Sequence, residues 1–355
     1  MLTPGCACPT EPRSRALHIV EGSRMMNDTV PDPYRVRPAQ PADAAAVVAV
    51  MEACDLAQVG ETEGYSVPDI ADEIAAVDGQ SRTFVVETPD ALVVAYALVE
   101  DVGSGRIFAD NYVHPAHRSH GLGTALVRLT EHAARDYISG APAGARVTLE
   151  NGVHAGDAAA CGILAGAGYA RSRVHWLMRI DLEGPPALPI WPIAITVRTF
   201  RPGRDERVTF DCVDEAFSDH WGHVPGNFAQ WTRRTTLPDF DPSLWFLAEE
   251  GGALAGAVLC HRRPRVGWVS TLAVRRPWRQ HGLGLALLQQ AFVAFSERSE
   301  RRIGLGVDSQ NLTGATRLYE RAGMHVQTSI VICEKELRPG TDLRTTDVRA
   351  LDTDA

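Results

Sequence analysis

Two ten-residue stretches carry the same residues suited to holding an anion. Arg118, Gly121 and Gly123 stand in RSHGLGTALV, and Arg279, Gly282 and Gly284 stand in RQHGLGLALL. Glycines at a helix start have no Cβ, so an anion can approach the backbone closely. The first helical turn leaves its N–H groups without internal partners, and with the helix dipole they suit a phosphate. An arginine three residues upstream adds positive charge. A P-loop needs Lys followed by Ser or Thr after its second glycine, and neither copy has that pair. A dinucleotide fingerprint needs a third small residue where Leu126 and Leu287 stand. One copy alone would read as a glycine-softened turn. Two copies, each between a strand and an amphipathic helix, read as a repeated cradle.

The elements around each cradle follow one order. A stretch with helical spacing comes first (PADAAAVVAVMEACDL, then RDERVTFDCVDEAF). Short apolar, β-branched runs follow (RTFVVET and ALVVAYALVED; SLWFLAEE and ALAGAVLCHR) and predict an antiparallel meander. A further strand (IFADNYV; GWVSTLAV) enters the cradle, and a helix leaves it. Leu122, Leu126, Leu129 and Ala133 form one apolar stripe on the first helix, and Leu285, Leu288, Phe292 and Phe295 form one on the second. Each half then ends in strand, short helix and strand. The period is about 160 residues, which marks a domain duplication and not a solenoid. Four prolines in LEGPPALPIWPI mark a linker. The expected organisation is a loose tail at 1–33, a first domain at 34–183, a linker at 184–194, a second domain at 195–338 and a tail at 339–355.

Composition narrows the classes. The chain has 355 residues, 45% hydrophobic and 22% charged, enough for two packed domains. A net charge of −9 argues against nucleic acid or an anionic membrane as the main partner. The longest apolar run, ALVVAYALV, is about half the roughly 18 residues that span a bilayer, and the first ~30 residues show no secretory pattern. Seven dispersed cysteines predict reduced thiols, a cytoplasmic protein and no metal site. The arginines from Arg262 to Arg279 read either as an attraction for phosphates or as a solvated sheet edge.

A second block sharpens the reading. The strand before the second cradle ends in LAV (Leu272, Ala273, Val274), and VDSQNLTGATRLYERAGM follows the next strand. The whole pattern resembles the GNAT superfamily of acetyl-CoA-dependent N-acetyltransferases. The likeness covers nearly the full chain, as two tandem mixed α/β domains. It implies that Arg279, Gln280, His281, Gly282, Leu283, Gly284 and Leu285 cradle the coenzyme A pyrophosphate. Leu272, Ala273 and Val274 would polarise the thioester carbonyl through backbone N–H groups, and Asn311 would contact the cofactor. Val113, Arg118, Gly121 and Gly123 are the matching positions in the first half. The cofactor is expected between the strand ending at Val274 and the one ending at Asp308. Tyr319 matches the family's general acid for the departing thiolate. In the first half Leu164 stands where Tyr319 does, and Gly156 where Asn311 does. That half is therefore expected to be structural, or to bind coenzyme A unproductively. The tandem arrangement is also similar to the mycothiol synthases, whose strand before the cradle carries a glutamate where this chain has Trp268.

The acceptor follows from chemistry. An alkyl amine with a pKa near 10.4 is neutral in about one molecule per thousand at pH 7, a deficit of roughly 4–5 kcal/mol. Candidates for the base are His220, His261 and a relay through water. Asp219, His220 and Trp221 read as an amine-binding set, or equally as a helix end with a packed tryptophan. The expected acceptor is a primary amine on a small metabolite, antibiotic or peptide, attacked directly without a covalent enzyme intermediate. The alternative is a non-catalytic acyl-coenzyme A binding protein or scaffold. A monomer or a homodimer fits either reading.

Overall fold

The computed structural model describes residues 30–62, 64–76, 81–236, 240–311 and 314–345. Most of the first expected tail and residues 346–355 of the second lie outside the described residues. The first half runs β1 (Arg35–Pro38), α1 (Ala44–Val59), α2 (Val67–Ala75), β2 (Ser81–Glu87), β3 (Val93–Gly103), β4 (Arg106–Val113), α3 (Leu122–Ala134), β5 (Val147–His154), α4 (Ala158–Gly166) and β6 (Ala170–Asp181). The second half repeats this as β7 (Thr196–Thr199), α5 (Glu206–Phe217), α6 (Phe228–Thr232), β8 (Trp245–Glu250), β9 (Ala253–Arg263), β10 (Val266–Val274), α7 (Leu283–Glu297), β11 (Arg302–Asp308), α8 (Ala315–Arg321) and β12 (His325–Arg338).

Local chemistry sets several of these boundaries. Ser66 caps α2 by accepting from the Asp69 N–H, and Asp157 caps α4 by accepting from the Ala160 N–H. The expected stripe on α3 is buried throughout. On α7 the core side is formed by Leu283, Leu287, Leu288, Phe292 and Phe295, while Leu285 is half-buried.

The twelve strands form one sheet in the order β1-β2-β3-β4-β5-β12-β6-β11-β10-β9-β8-β7. The two halves thus exchange their last strands. β12 lies antiparallel to β5 of the first half, and β6 lies antiparallel to β11 of the second. β6 and β12 then pair with each other and fuse the halves. The cores follow the exchange. Val331 and Cys333 of β12 are buried with first-half residues, and Met178 of β6 is buried with second-half residues. Two tandem domains were expected, each a mixed α/β sheet flanked by helices, whereas the halves share one sheet and each is completed by a strand from the other.

The ends differ from expectation as well. Val30 is buried in the first core, inside the segment expected to be loose. Residues 339–345 are not an untethered tail. Thr341 bonds to Gly144 and Arg146 through backbone groups, and Arg344 is buried among Glu150, Glu334 and Asp342. The buried carboxylates need a cation, and Arg344 supplies it. The linker keeps Leu188, Ile190 and Ile193 exposed while Trp191 packs against the second core.

Candidate functional site

Both cradles have the same backbone. Ser119 and Gly121 take φ of 67° and 81°, and Gln280 and Gly282 take 64° and 83°. Alternating left-handed residues point successive N–H groups into one concavity, which is an anion nest. The second glycine of each pair has a different task. A Cβ on Gly123 would sit 2.9 Å from Ile163 Cδ1, and one on Gly284 would sit 2.9 Å from Leu318 Cδ1. Gly123 and Gly284 therefore let α4 and α8 press onto the cradle helices.

Each cradle closes a gap in the sheet. β4 and β5 pair in parallel from Arg106 and Thr148 to Ala109 and Asn151, then separate. β10 and β11 pair only at Gly267 with Ile303 and at Trp268 with Gly304. Beyond those points Asp110–Val113 and Val269–Val274 face an opening. The expected cleft between Val274 and Asp308 is this second opening.

The arginines do not reach into the nests as free charges. Arg279 bonds the carbonyl of Val274 at 3.1 Å, that of Ala216 at 2.9 Å and Asp219 at 3.0 Å. It braces the end of β10 against α5, so anion contact falls to the backbone. Arg118 pairs with Asp157 at 3.4 Å. The wider arginine cluster is likewise divided among local partners, including Arg275 with Glu215 and Arg265 with Glu52.

Asp219, His220 and Trp221 do not converge on one point. Arg276 and then Arg279 hold the Asp219 carboxyl below the usual carboxylate range. His220 stacks on Phe217 with centroids 4.4 Å apart. Burial and then Arg279 lower its pKa, so the ring is neutral at pH 7. Trp221 is held between the guanidinium groups of Arg173 on β6 and Arg344, at 4.1 and 5.1 Å. Trp268 is covered by Arg263 at 3.6 Å. Gln280 and His281 are exposed, Leu283 and Ala273 are buried, and Leu272 is half-buried. Asn311 follows β11, its N–H bonded to the Asp308 carbonyl.

Tyr319 is 9% exposed in the second core. Burial pushes its phenol up to about 12. Its hydroxyl has no hydrogen-bond partner among the described residues, and the neighbouring Leu318 contacts Gly284. Leu164, its counterpart, is buried in the first core and lines a large cavity.

That cavity, of about 1550 Å³, lies beside the first cradle and reaches His261 and Thr271 of the second half. The turn between β9 and β10 borders it, with Pro264 against Gly64. The exchange is reciprocal, since Arg106 at the start of β4 bonds the carbonyl of Gly222 at 3.5 Å. The cavity wall carries both charges, with Asp55, Glu73 and Asp110 as well as Arg118, Arg234 and Arg263. Tyr96 donates to Glu73 at 2.6 Å, and Tyr65 and Thr62 donate to Asp55 at 3.0 and 3.2 Å. Asp110 faces the same space, and burial, then Glu73, push its carboxyl up to about 7. Asp110 and Glu73 were not singled out from the sequence. The available signal was an aspartate inside the strand-like IFADNYV, where aspartate is disfavoured. Among the described residues no group of three His, Cys, Asp or Glu is placed to hold a metal, and no helix is long and apolar enough to cross a membrane.

The acetyltransferase (GNAT) family pattern matches the chain twice, at residues 50–162 and 210–324. A mycothiol acetyltransferase from Salinispora arenicola (strain CNS-205) is 30% identical over 311 residues, spanning 84% of this chain and 96% of its own. The crystal structure of a GCN5-related N-acetyltransferase from Sphaerobacter thermophilus superposes with a TM-score of 0.77 at 39% identity, covering 88% of this chain and 99% of its own. A tandem GNAT protein from the clavulanic acid biosynthesis pathway shares the fold, with a TM-score of 0.65 at 19% identity over 86% of this chain and 99% of its own. Two matched nests, two parted strand pairs and these relatives lead to one conclusion: the chain belongs to the GNAT family, as a tandem acetyl-CoA-dependent N-acetyltransferase.

Proposed function

We propose that the second half transfers the acetyl group of acetyl-CoA to a primary amine of a small molecule or peptide by direct attack. The observation that carries this reading is Tyr319, a buried phenol with no hydrogen-bond partner among the described residues, on the helix pressed against the cradle helix. The pyrophosphate would lie on the nest of Gln280 and Gly282, and the thioester would enter the opening between β10 and β11. Backbone N–H groups at Leu272–Val274 would polarise its carbonyl. A phenol near 12 stays protonated at every working pH. A thiol near 8.5 is the stronger acid, so Tyr319 stabilises the departing sulfur chiefly by a hydrogen bond. His220 is the proposed base, because its neutral ring is ready to accept a proton at pH 7.

The relative from Salinispora arenicola is named a mycothiol acetyltransferase. Trp268 stands where the mycothiol synthase resemblance calls for a glutamate, so the acceptor is proposed here only as a primary amine. Unpaired cysteines among the described residues fit a cytoplasmic setting.

The test is steady-state kinetics of Tyr319→Phe at saturating acetyl-CoA with an amine that the wild type acetylates. kcat should fall about 10²-fold or more, while KM for acetyl-CoA stays near the wild-type value. An unchanged kcat would remove Tyr319 from the chemistry.

A further inference from the structure

We infer that residues 30–34 brace the first nest, with Tyr34 as a positioning residue that acts through His117; this rests on reading that nest as an acetyl-CoA cradle. The brace belongs to the repeat. VPDPYRVR, from Val30 to Arg37, aligns with WPIAITVR, from Trp191 to Arg198. Ion pairs fix the alignment. Arg37 meets Asp43 and Glu87 at 2.7 and 3.0 Å, and Arg198 meets Asp205 and Glu249 at 2.5 and 2.6 Å. The turn is repeated too. The Tyr34 N–H donates to the Pro31 carbonyl at 3.0 Å, and the Ile195 N–H donates to that of Pro192 at 3.2 Å. Val30 is buried in the first core, and Trp191 and Ile195 pack against the second. Each repeat therefore begins upstream of its first strand, mostly within the segments expected to be a tail and a linker.

Strand register carries this segment to the cradle. Arg35 pairs with Glu87, Glu87 with Val93, and Ala95 with Val113, so β1 starts at the end of the sheet where β4 stops. There Pro31 Cγ lies 3.7 Å from the place that a Cβ on Gly121 would take. The Tyr34 hydroxyl and His117 Nδ1 are 3.0 Å apart. The Tyr34 ring also meets His117 and His120 edge-on, with centroids 5.9 and 6.1 Å away. The other two histidines fold the loop upon itself. The Ala116 N–H donates to His114 Nδ1 at 3.2 Å. His120 Nδ1 stands 2.9 Å from the Arg118 carbonyl and 3.3 Å from that of His117. A carbonyl only accepts, so His120 Nδ1 carries the proton. His117 then ties the folded loop to the segment before β1.

The nest needs such a tie. Ser119 is not a glycine, yet it holds φ at 67°. A left-handed residue of this kind persists only where its surroundings fix it. A loop that relaxes makes the ligand bear the cost of re-forming the nest, and affinity falls. The second nest is supported differently. Trp278 stands where His117 does, and its indole N–H donates to Glu250 at the end of β8 at 2.6 Å. A Cβ on Gly282 would meet no described atom within 4 Å. Two nests of equal φ are thus held by different side chains: a phenol from the preceding segment in the first, and an indole anchored on a strand in the second. Loss of the Tyr34 hydroxyl should therefore touch one site and spare the other.

The experiment is a calorimetric titration of acetyl-CoA into the full chain carrying Gly282→Val, which strains the second nest and leaves the first. Adding Tyr34→Phe keeps the ring and removes the hydroxyl, and should weaken Kd about fivefold to tenfold. His117→Ala should weaken it by a similar factor. His117→Asn should restore it to within about twofold, because an amide can both donate to and accept from the Tyr34 hydroxyl. In the reciprocal chain, carrying Gly121→Val, Tyr34→Phe should leave the remaining Kd unchanged, a selectivity that a general loss of stability would not give. Binding to the Gly282→Val chain that Tyr34→Phe does not weaken would overturn the brace alone. Equal weakening in both chains, or His117→Asn as weak as His117→Ala, would also overturn it. No binding by the Gly282→Val chain would overturn the reading of the first nest as a cradle, and the brace with it.

Discussion

At the residue scale, Arg344 shows how a single cation holds distant parts together. Its side chain is 4% exposed and meets Glu334 at 2.6 Å, Asp342 at 2.5 Å and Glu150 at 3.3 Å. Removing one partner of a buried pair leaves an uncompensated charge, so Arg344→Ala should cost about 3–5 kcal/mol in urea unfolding. The Arg344 guanidinium holds Asp342 down at about 2, from 3.8. A depressed carboxylate contributes stability above its unfolded pKa and loses it as pH falls through the folded one. The gap in melting temperature between wild type and Arg344→Ala should therefore shrink from pH 4 to pH 2. A gap that stays constant would show that the arginine acts through packing alone. The sequence placed this residue in a loose tail, because RPGTDLRTTDVRALDTDA has no apolar periodicity. An isolated arginine gives no sign of the carboxylates that await it on other strands. Asp110 was missed for a related reason: Glu73 on α2 and Tyr65, which face it, are far from it in sequence. Arg279, Gly282 and Tyr319 were legible because a cradle is local, a strand end followed by a helix start within about one turn.

At the element scale, the exchange of β6 and β12 is the feature that periodicity did not reveal. Alternation marks a strand, but register between strands about 150 residues apart leaves no local trace. The exchange has a mechanical consequence. β12 contributes Val331 and Cys333 to the first core, and β6 contributes Met178 to the second. A cut in the exposed linker near Leu188 and Ile190 should leave the fragments bound to each other. Limited proteolysis followed by size exclusion should give one particle of unchanged size containing two chains. Separation into two folded halves would contradict the topology. Each half buries two apolar clusters, and in each half one of the two includes residues of the strand taken from the other half.

At the scale of the whole molecule, duplication has produced two nests, two strand openings and one continuous sheet. The halves then diverged in the chemistry beside the nest. The second keeps Tyr319 on the helix pressed against its cradle helix, and the first has Leu164 there, lining a cavity of mixed charge. Strand exchange places the β9–β10 turn over the first half and Arg106 against the second. The central claim is that both halves hold acetyl-CoA through backbone nests. Calorimetric titration of the full chain with acetyl-CoA tests it most directly, using Gly121→Val and Gly282→Val to strain one nest each. The account predicts two molecules bound per wild-type chain, with each variant losing one. Fewer than two bound to the wild type would contradict it.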